Sequence, residues 1–91
     1  MGYQVMIPTK VQKKIKKMDA SVQKLLYSYI KKNLQDSENP RIHGKPLTAN
    51  LKGFWRYRIL DYRLIVEIED YKLIIVAVDF DHRDKIYRGM P

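Results

Sequence analysis

Residues 55–79 read WRYRILDYRLIVEIEDYKLIIVAVD, and this stretch decides the predicted fold. Apolar and polar side chains alternate through its first part, and a period of two is typical of β-strands. The alternation predicts three successive antiparallel strands at 55–59, 62–68 and 71–79, joined by two-residue turns at 60–61 and 69–70. Every residue from 73 to 78 is apolar, which indicates a central strand covered on both faces.

The first turn determines which strand residues face each other, because successive side chains point to opposite faces of a sheet. Arg58 then faces Arg63. One face collects the side chains that must pack on the helices: Trp55, Tyr57, Ile59, Tyr62, Leu64, Val66 and Ile68. The opposite face carries Arg56, Arg58, Arg63, Ile65 and Glu67. Around the second turn Glu67 faces Lys72, an opposite-charge pair that favours this register.

Three arginines share one patch of this predicted sheet. Like charges directly across a ladder are destabilising, so Arg58 and Arg63 repel each other and Arg56 adds to the repulsion. A bound phosphate would relieve that repulsion through bidentate hydrogen bonds. The alternative is that the three side chains spread into solvent or pair with Glu67 and other acids.

Two amphipathic helices are predicted before these strands. A short strand at 3–7 ends at Pro8, and Thr9 is a candidate cap for a first helix with Val11 and Ile15 on its apolar side. Asp19 and Ser21 are candidate caps for a second helix, whose apolar face comprises Val22, Leu25, Leu26, Tyr29, Ile30 and Leu34. A polar loop follows at 33–40. The fold class is α+β in the order β-α-α-β-β-β, with two N-terminal helices packed on one face of a small, mainly antiparallel sheet.

The composition restricts the class of protein. A chain of 91 residues predicts a single domain over 1–91. It has no cysteine, which removes disulfides and thiol nucleophiles, and its two histidines lie far apart, so we expect no metal site and no cofactor. No apolar run approaches the roughly 18 residues of a membrane span, and the first residues show no apolar stretch typical of a signal peptide. We therefore expect a cytoplasmic protein with no membrane partner.

The net charge of +8 is unevenly distributed. Residues 1–34 hold eight lysines against one acid, which gives +7, and residues 55–91 hold seven bases and seven acids. Within the first helical region Lys10, Lys13, Lys14, Lys16 and Lys17 have no acid among them. This pattern is typical of a solvated lysine face or of a surface that attracts a phosphate backbone.

The end of the chain adds groups suited to proton transfer. His82 and Arg83 follow the last predicted strand, and Tyr87 comes four residues later. Metal-independent RNA cleavage requires deprotonation of a 2′-OH, stabilisation of a charged phosphorane and protonation of the leaving oxygen. Arginine suits the second task, and histidine suits proton transfer. Each residue also has a non-catalytic interpretation: His82 as an ordinary surface residue and Tyr87 as part of the core.

These motifs together resemble the RelE-type toxins of bacterial toxin–antitoxin systems. The resemblance covers essentially the whole chain. Three stretches in the middle of the chain carry it: Gly44-Lys45-Pro46-Leu47, Gly53-Phe54-Trp55-Arg56-Tyr57-Arg58-Ile59 and Asp61-Tyr62-Arg63-Leu64-Ile65. The end of the chain is similar to that family's closing His-Arg-x-x-hydrophobic-Tyr signature, and it reads His82-Arg83-Asp84-Lys85-Ile86-Tyr87-Arg88.

The resemblance implies a ribosome-dependent endoribonuclease, the toxin of a type II system, that cuts messenger RNA in the ribosomal A site. By position, Arg63 would hold the scissile phosphate and Arg83 would stabilise charge near the leaving group. Tyr87 would stack on or help deprotonate the substrate nucleotide, and His82 is a candidate general acid or base. Basic residues that assist catalysis or contact ribosomal RNA would be Arg56, Arg58, Lys45, Lys52, Lys13, Lys14 and Lys17. The resemblance also implies a cognate antitoxin with a wrapping segment, and a basic toxin favours an acidic one.

Two features depart from the family pattern. Leu60 stands at a turn position where relatives commonly have glycine, and a non-glycine residue resists positive φ. Asp79 and Asp81 stand beside the site, where they could pair with Arg83 or raise the pKa of His82. Two alternative functions remain open: a DNA gyrase poison of the ParE type without ribonuclease activity, and a non-catalytic basic RNA-binding module.

Overall fold

A hairpin with a two-residue turn lies at the centre of the structure. The computed structural model describes residues 2–47 and 53–86. Strand β3 (Phe54–Ile59) pairs antiparallel with β4 (Tyr62–Glu69), and Arg58 faces Arg63. This register confirms the prediction from the sequence. Leu60 has a φ of 53°, so the turn forms although an L-residue with a side chain adopts this conformation only at a cost.

The second predicted turn is wrong. A 3-10 turn at Asp70–Lys72 and one further residue with a φ of 54° connect β4 to β5 (Ile74–His82). The connection is therefore longer than two residues, and β5 begins three residues later than predicted. As a result Glu67 faces Val76 across the ladder and does not face Lys72.

A bulge changes the alternation of β5 halfway along the strand. Residues 65 and 66 of β4 face Asp79 and Ala77, which leaves Val78 as an extra residue. Because of this extra residue, Ala77 and Phe80 both face the helices. Asp79 and Asp81 consequently point to the other face of the sheet.

Within the described residues the sheet has five strands in the order β1-β5-β4-β3-β2. Strand β1 (Gln4–Met6) runs parallel to β5, and β2 (Lys45–Pro46) pairs antiparallel with β3. Strand β2 is absent from the predicted order β-α-α-β-β-β. The α+β class, with helices on one face of a mainly antiparallel sheet, is confirmed.

The helices cover one face of this sheet. Helix α1 (Thr9–Lys16) begins after Pro8, so Thr9 is its first residue and not its cap. Helix α2 (Ala20–Tyr29) follows Asp19 and continues into a π-helical turn, Ile30–Leu34. None of the helices in the described ranges is both long and apolar enough to cross a membrane. The core between helices and sheet is formed by Val11, Ile15, Leu26, Ile30, Leu34, Tyr57, Ile59, Leu64, Val66, Ile75, Ala77 and Phe80.

Tyr57 anchors the segment that leads into β2. Its ring is fully buried, and its hydroxyl donates a hydrogen bond to the Pro40 carbonyl. Gly44 lies against the same ring, where a Cβ atom would come within 2.9 Å of the Tyr57 Cε1 atom. Burial raises the pKa of the Tyr57 hydroxyl far above its ordinary value, so this hydroxyl remains a donor.

Candidate active site

Four basic residues lie on the sheet face that points away from the helices. In one row across the sheet Lys45 of β2 faces Arg56 of β3, and in the next row Arg58 of β3 faces Arg63 of β4. Directly paired residues of antiparallel strands share a face, and alternate residues of one strand do so too. Lys45, Arg56, Arg58 and Arg63 therefore form one surface, which we call the basic face.

Arg63 is the most enclosed member of the basic face. It is only 8% exposed, and one guanidinium nitrogen, Nη1, donates to the carbonyl oxygens of Leu60 and Tyr62, each at 2.8 Å. Arg58 across the ladder is exposed, and Arg56 is half-buried. The two carbonyls hold the Arg63 guanidinium against the β3–β4 turn. A guanidinium fixed in this way suits the bidentate binding of a phosphate.

Arg83 lies at the same turn. Its backbone amide donates to the Asp61 carbonyl at 2.7 Å, and its guanidinium lies 3.8 Å from the Asp61 carboxylate and 4.0 Å from that of Asp84. The side chain is more than half exposed. Both arginines thus contact the backbone of the β3–β4 turn, Arg63 through its guanidinium and Arg83 through its backbone amide.

His82 does not point to the basic face. It pairs with Tyr62 across the β4–β5 ladder and packs edge-on against the Tyr62 ring, with the ring centroids 5.5 Å apart. The His82 Nδ1 atom accepts a hydrogen bond of 3.2 Å from the backbone amide of Asp84. The same Nδ1 atom lies 3.4 Å from the Asp84 Oδ2 atom. The His82 ring thus lies on the sheet face opposite to the basic face, and its role as a general acid or base stays a prediction.

The acids before His82 are held by a lysine of helix α1. The Nζ atom of Lys14 lies 2.7 Å from the Asp79 Oδ1 atom and 2.9 Å from the Asp81 Oδ2 atom. Burial opposes ionisation of Asp81, but hydrogen bonds from Lys14 and from the backbone of His82 outweigh it and hold the pKa of this carboxyl below its ordinary value. Lys14 was predicted as an RNA contact, and the structure shows its ammonium on two carboxylates instead.

The remaining predicted site residues divide into two groups. Lys13 and Lys17 are exposed, in α1 and directly after it. Tyr87 and Lys52 lie outside the described residues, so the roles predicted for them stay predictions. The contact of Lys14 with the two acids was missed because it depends on the bulge in β5. The acid–apolar–acid spacing of residues 79–81 was the available signal.

Comparison with known proteins identifies the class of protein to which this chain belongs. The sequence profile of the family described as "ParE toxin of type II toxin-antitoxin system, parDE" matches residues 5–87. The chain belongs to this family, which is part of the RelE/ParE superfamily of type II toxins.

Named relatives and solved structures agree with this assignment. The chain is 30% identical over 87 residues to a toxin named RelE4 of Methanocaldococcus jannaschii, covering 94% of this chain and 92% of the relative. It is similar to the toxin–antitoxin complex RelBE2 of Mycobacterium tuberculosis, with a TM-score of 0.81, 28% identity and coverage of 91% of this chain and 100% of that chain. It shares its fold with the RelBE complex of E. coli, with a TM-score of 0.70, 18% identity and coverage of 89% and 96%.

Proposed function

We propose that this type II toxin is an endoribonuclease that cuts messenger RNA on the ribosome. The observation that carries the proposal is the basic face, where Lys45, Arg56, Arg58 and Arg63 meet and Arg83 lies at the adjoining turn. A bound anion would offset the cost of these like charges. The phosphates of RNA supply that anion, and the names of the relatives favour the RelE type of activity.

The chemistry proposed for the site is attack of a ribose 2′-OH on the neighbouring phosphate. Arg63, fixed by two carbonyls, would hold the scissile phosphate, and the exposed guanidinium of Arg83 would stabilise charge that develops toward the leaving oxygen. His82 is kept as a candidate general acid or base, with its Nδ1 atom beside the backbone amide and the carboxylate of Asp84. Tyr87 remains the candidate for stacking on the nucleotide or for taking the 2′-OH proton.

Partners are part of this proposal. We expect the ribosome with messenger RNA in its A site to be the target, with Lys13, Lys17 and Lys52 contacting ribosomal RNA through salt-dependent attraction. Several structural neighbours are toxin–antitoxin complexes. By the same reasoning we expect a cognate antitoxin here, and the charge of +8 favours an acidic segment that covers the basic face.

The test is a translation extract to which the purified protein is added, with message ends mapped by primer extension. We expect discrete cuts within ribosome-bound messages, and we expect Arg83→Gln to reduce them at least tenfold because the variant removes charge stabilisation at the reacting phosphate. Lys24→Gln is the matched control, since Lys24 is an exposed cation on helix α2 and its loss leaves cleavage intact.

A second function is favoured by one observation, the description of the matching family as ParE toxins. The alternative is a DNA gyrase poison that cuts no RNA. Intact messages in the extract, together with gyrase-dependent DNA breaks, would establish that function and reject the ribonuclease. If messages stay intact, no DNA breaks appear and the protein still binds RNA, the remaining hypothesis is a non-catalytic RNA-binding module.

A further inference from the structure

Lys14 connects helix α1 to the far half of strand β5. Its ammonium contacts one carboxylate oxygen each of Asp79 and Asp81, at 2.7 and 2.9 Å. The backbone amides of Phe80 and His82 donate to the Oδ1 atoms of Asp79 and Asp81, at 2.8 and 2.7 Å. Both oxygens of Asp81 thus have hydrogen-bond partners. They lie along the edge of β5 that does not pair with β4, which we call the margin of β5.

This margin lies beyond the reach of β1. Strand β1 pairs with β5 only at residues 74–76, so the described part of β5 from 77 onward has no strand neighbour on that side. Helix α1 contacts β5 instead, with Val11 and Ile15 in the core. The Lys14 ammonium therefore reaches the two acids from the side of the sheet that β1 leaves open.

Asp81 is the cross-strand neighbour of Arg63. The two residues face each other in the β4–β5 ladder and share the sheet face of the four cations, whereas Asp79 faces Ile65. Side chains in such pairs stand close enough for an arginine–carboxylate pair to form. That pair would occupy the guanidinium proposed to hold phosphate. Of the two acids, only Asp81 stands in this position.

We propose that Lys14 is a positioning residue of the RNA site: it holds the Asp81 carboxylate at the margin of β5, so that this carboxylate does not compete with an RNA phosphate for Arg63. The inference rests on the proposed function only as far as RNA binding. It replaces the direct RNA contact predicted for Lys14 with an indirect role.

The test uses RNA affinity, which does not depend on cleavage. The probe is a short single-stranded RNA with 2′-O-methyl riboses, and its dissociation constant is measured by fluorescence anisotropy at one fixed salt concentration. Lys14→Met removes the ammonium but keeps an apolar stem, and we expect it to weaken binding roughly fivefold to tenfold because Asp81 then turns to Arg63. Lys14→Arg keeps the cation and binds as the wild type does.

Two double variants separate positioning from direct contact. Lys14→Met combined with Asp81→Asn restores affinity to within about twofold of the wild type, because the competing carboxylate is gone. Lys14→Met combined with Asp79→Asn is the matched control, with the same change in charge, and it stays weak because Asp79 faces Ile65. If both double variants stay weak, Lys14 binds phosphate directly and the inference is overturned. If both recover equally, net charge alone explains the effect, and the inference is overturned as well.

A further arm does not depend on how Lys14→Met folds. Asp81→Asn alone binds the RNA at least as tightly as the wild type, and weaker binding would reject the inference. A wild-type protein that does not bind this RNA rejects it too. A wild-type protein that binds the RNA but cuts no message contradicts the proposed function alone, and the pattern of rescue among the variants remains decisive.

Discussion

Arg58 and Arg63 stand directly opposite each other on β3 and β4, with both side chains on the basic face. Arg58 is exposed, while Arg63 is held by the carbonyls of Leu60 and Tyr62. The pair therefore cannot separate by moving both guanidiniums into solvent. The repulsion is a stability cost maintained in the free protein, and it has a measurable consequence.

Arg58→Gln is expected to stabilise the protein while weakening its function. Removing one of two opposed like charges relieves about 0.2–1 kcal/mol, toward the lower end for an exposed side chain. RNA affinity should fall in the same variant, because one phosphate contact is lost. Urea unfolding and RNA anisotropy check the two effects, and Lys24→Gln controls for net charge. A lower free energy of unfolding for Arg58→Gln than for Lys24→Gln would contradict the repulsion.

Leu60→Gly is expected to strengthen the turn on which Arg63 and Arg83 converge. Leu60 has a φ of 53° and an exposed side chain, so the substitution removes a left-handed strain of about 1–2 kcal/mol with little loss of packing. The greater freedom of glycine in the unfolded chain offsets roughly 0.5–1 kcal/mol of this gain. Leu60→Ala is the control, since it shortens the side chain but keeps the strain. If the turn is not strained, Leu60→Gly is instead less stable than Leu60→Ala by about 0.5–1 kcal/mol, the entropic cost of glycine.

Much of the fold follows from the period of the sequence. Alternation in 55–68 fixes the faces of β3 and β4, since a shift of one residue would turn seven apolar side chains to solvent. The connection at 70–73 and the bulge at Val78 have no such signal. Both depend on local backbone conformations, including a left-handed Leu73, that tertiary packing selects against ordinary propensity.

The site residues could be placed from the sequence where the register of their strand could be predicted. Arg56, Arg58 and Arg63 were placed on one face by parity, and the structure agrees. His82 was not, because the extra residue in β5 decides to which face the end of that strand points. The role of Lys14 was also hidden, since it joins residues 65 positions apart that no periodic pattern relates.

Tyr57→Phe is expected to destabilise the protein without changing its RNA affinity. The substitution removes the donor to the Pro40 carbonyl inside the core, and a buried acceptor left without its partner costs about 1–3 kcal/mol. Urea unfolding measures the loss. Because burial raises the pKa of the Tyr57 hydroxyl, ultraviolet titration of the folded wild type should leave this tyrosine un-ionised until the protein unfolds. Ionisation of all tyrosines near pH 10 in the folded state would contradict its burial.

The Lys14–Asp81 pair is expected to make stability depend on pH below about pH 5 and above about pH 10, and not between these values. Hydrogen bonds from Lys14 and the His82 backbone outweigh burial and hold the pKa of Asp81 below its ordinary value. The unfolded state therefore binds more protons around pH 4, and the contribution of Asp81 is full above about pH 5 and is lost as the pH falls through its folded pKa. For Lys14, burial is outweighed by its hydrogen bonds with Asp79 and Asp81, which raise the pKa of the ammonium. Its contribution is accordingly full below about pH 10 and is lost only above that.

Urea unfolding between pH 3 and 9 tests this dependence. The wild type should lose its advantage over Asp81→Asn between about pH 5 and pH 3, and the difference should stay constant from pH 6 to pH 9. The same comparison in a Lys14→Met background should show a smaller change with pH, because the ammonium that stabilises the ionised carboxylate is absent. Parallel curves for wild type and Asp81→Asn throughout the acid range would show that the ion pair does not form in solution. That result would also remove the physical basis for assigning Lys14 the task of holding Asp81 away from Arg63.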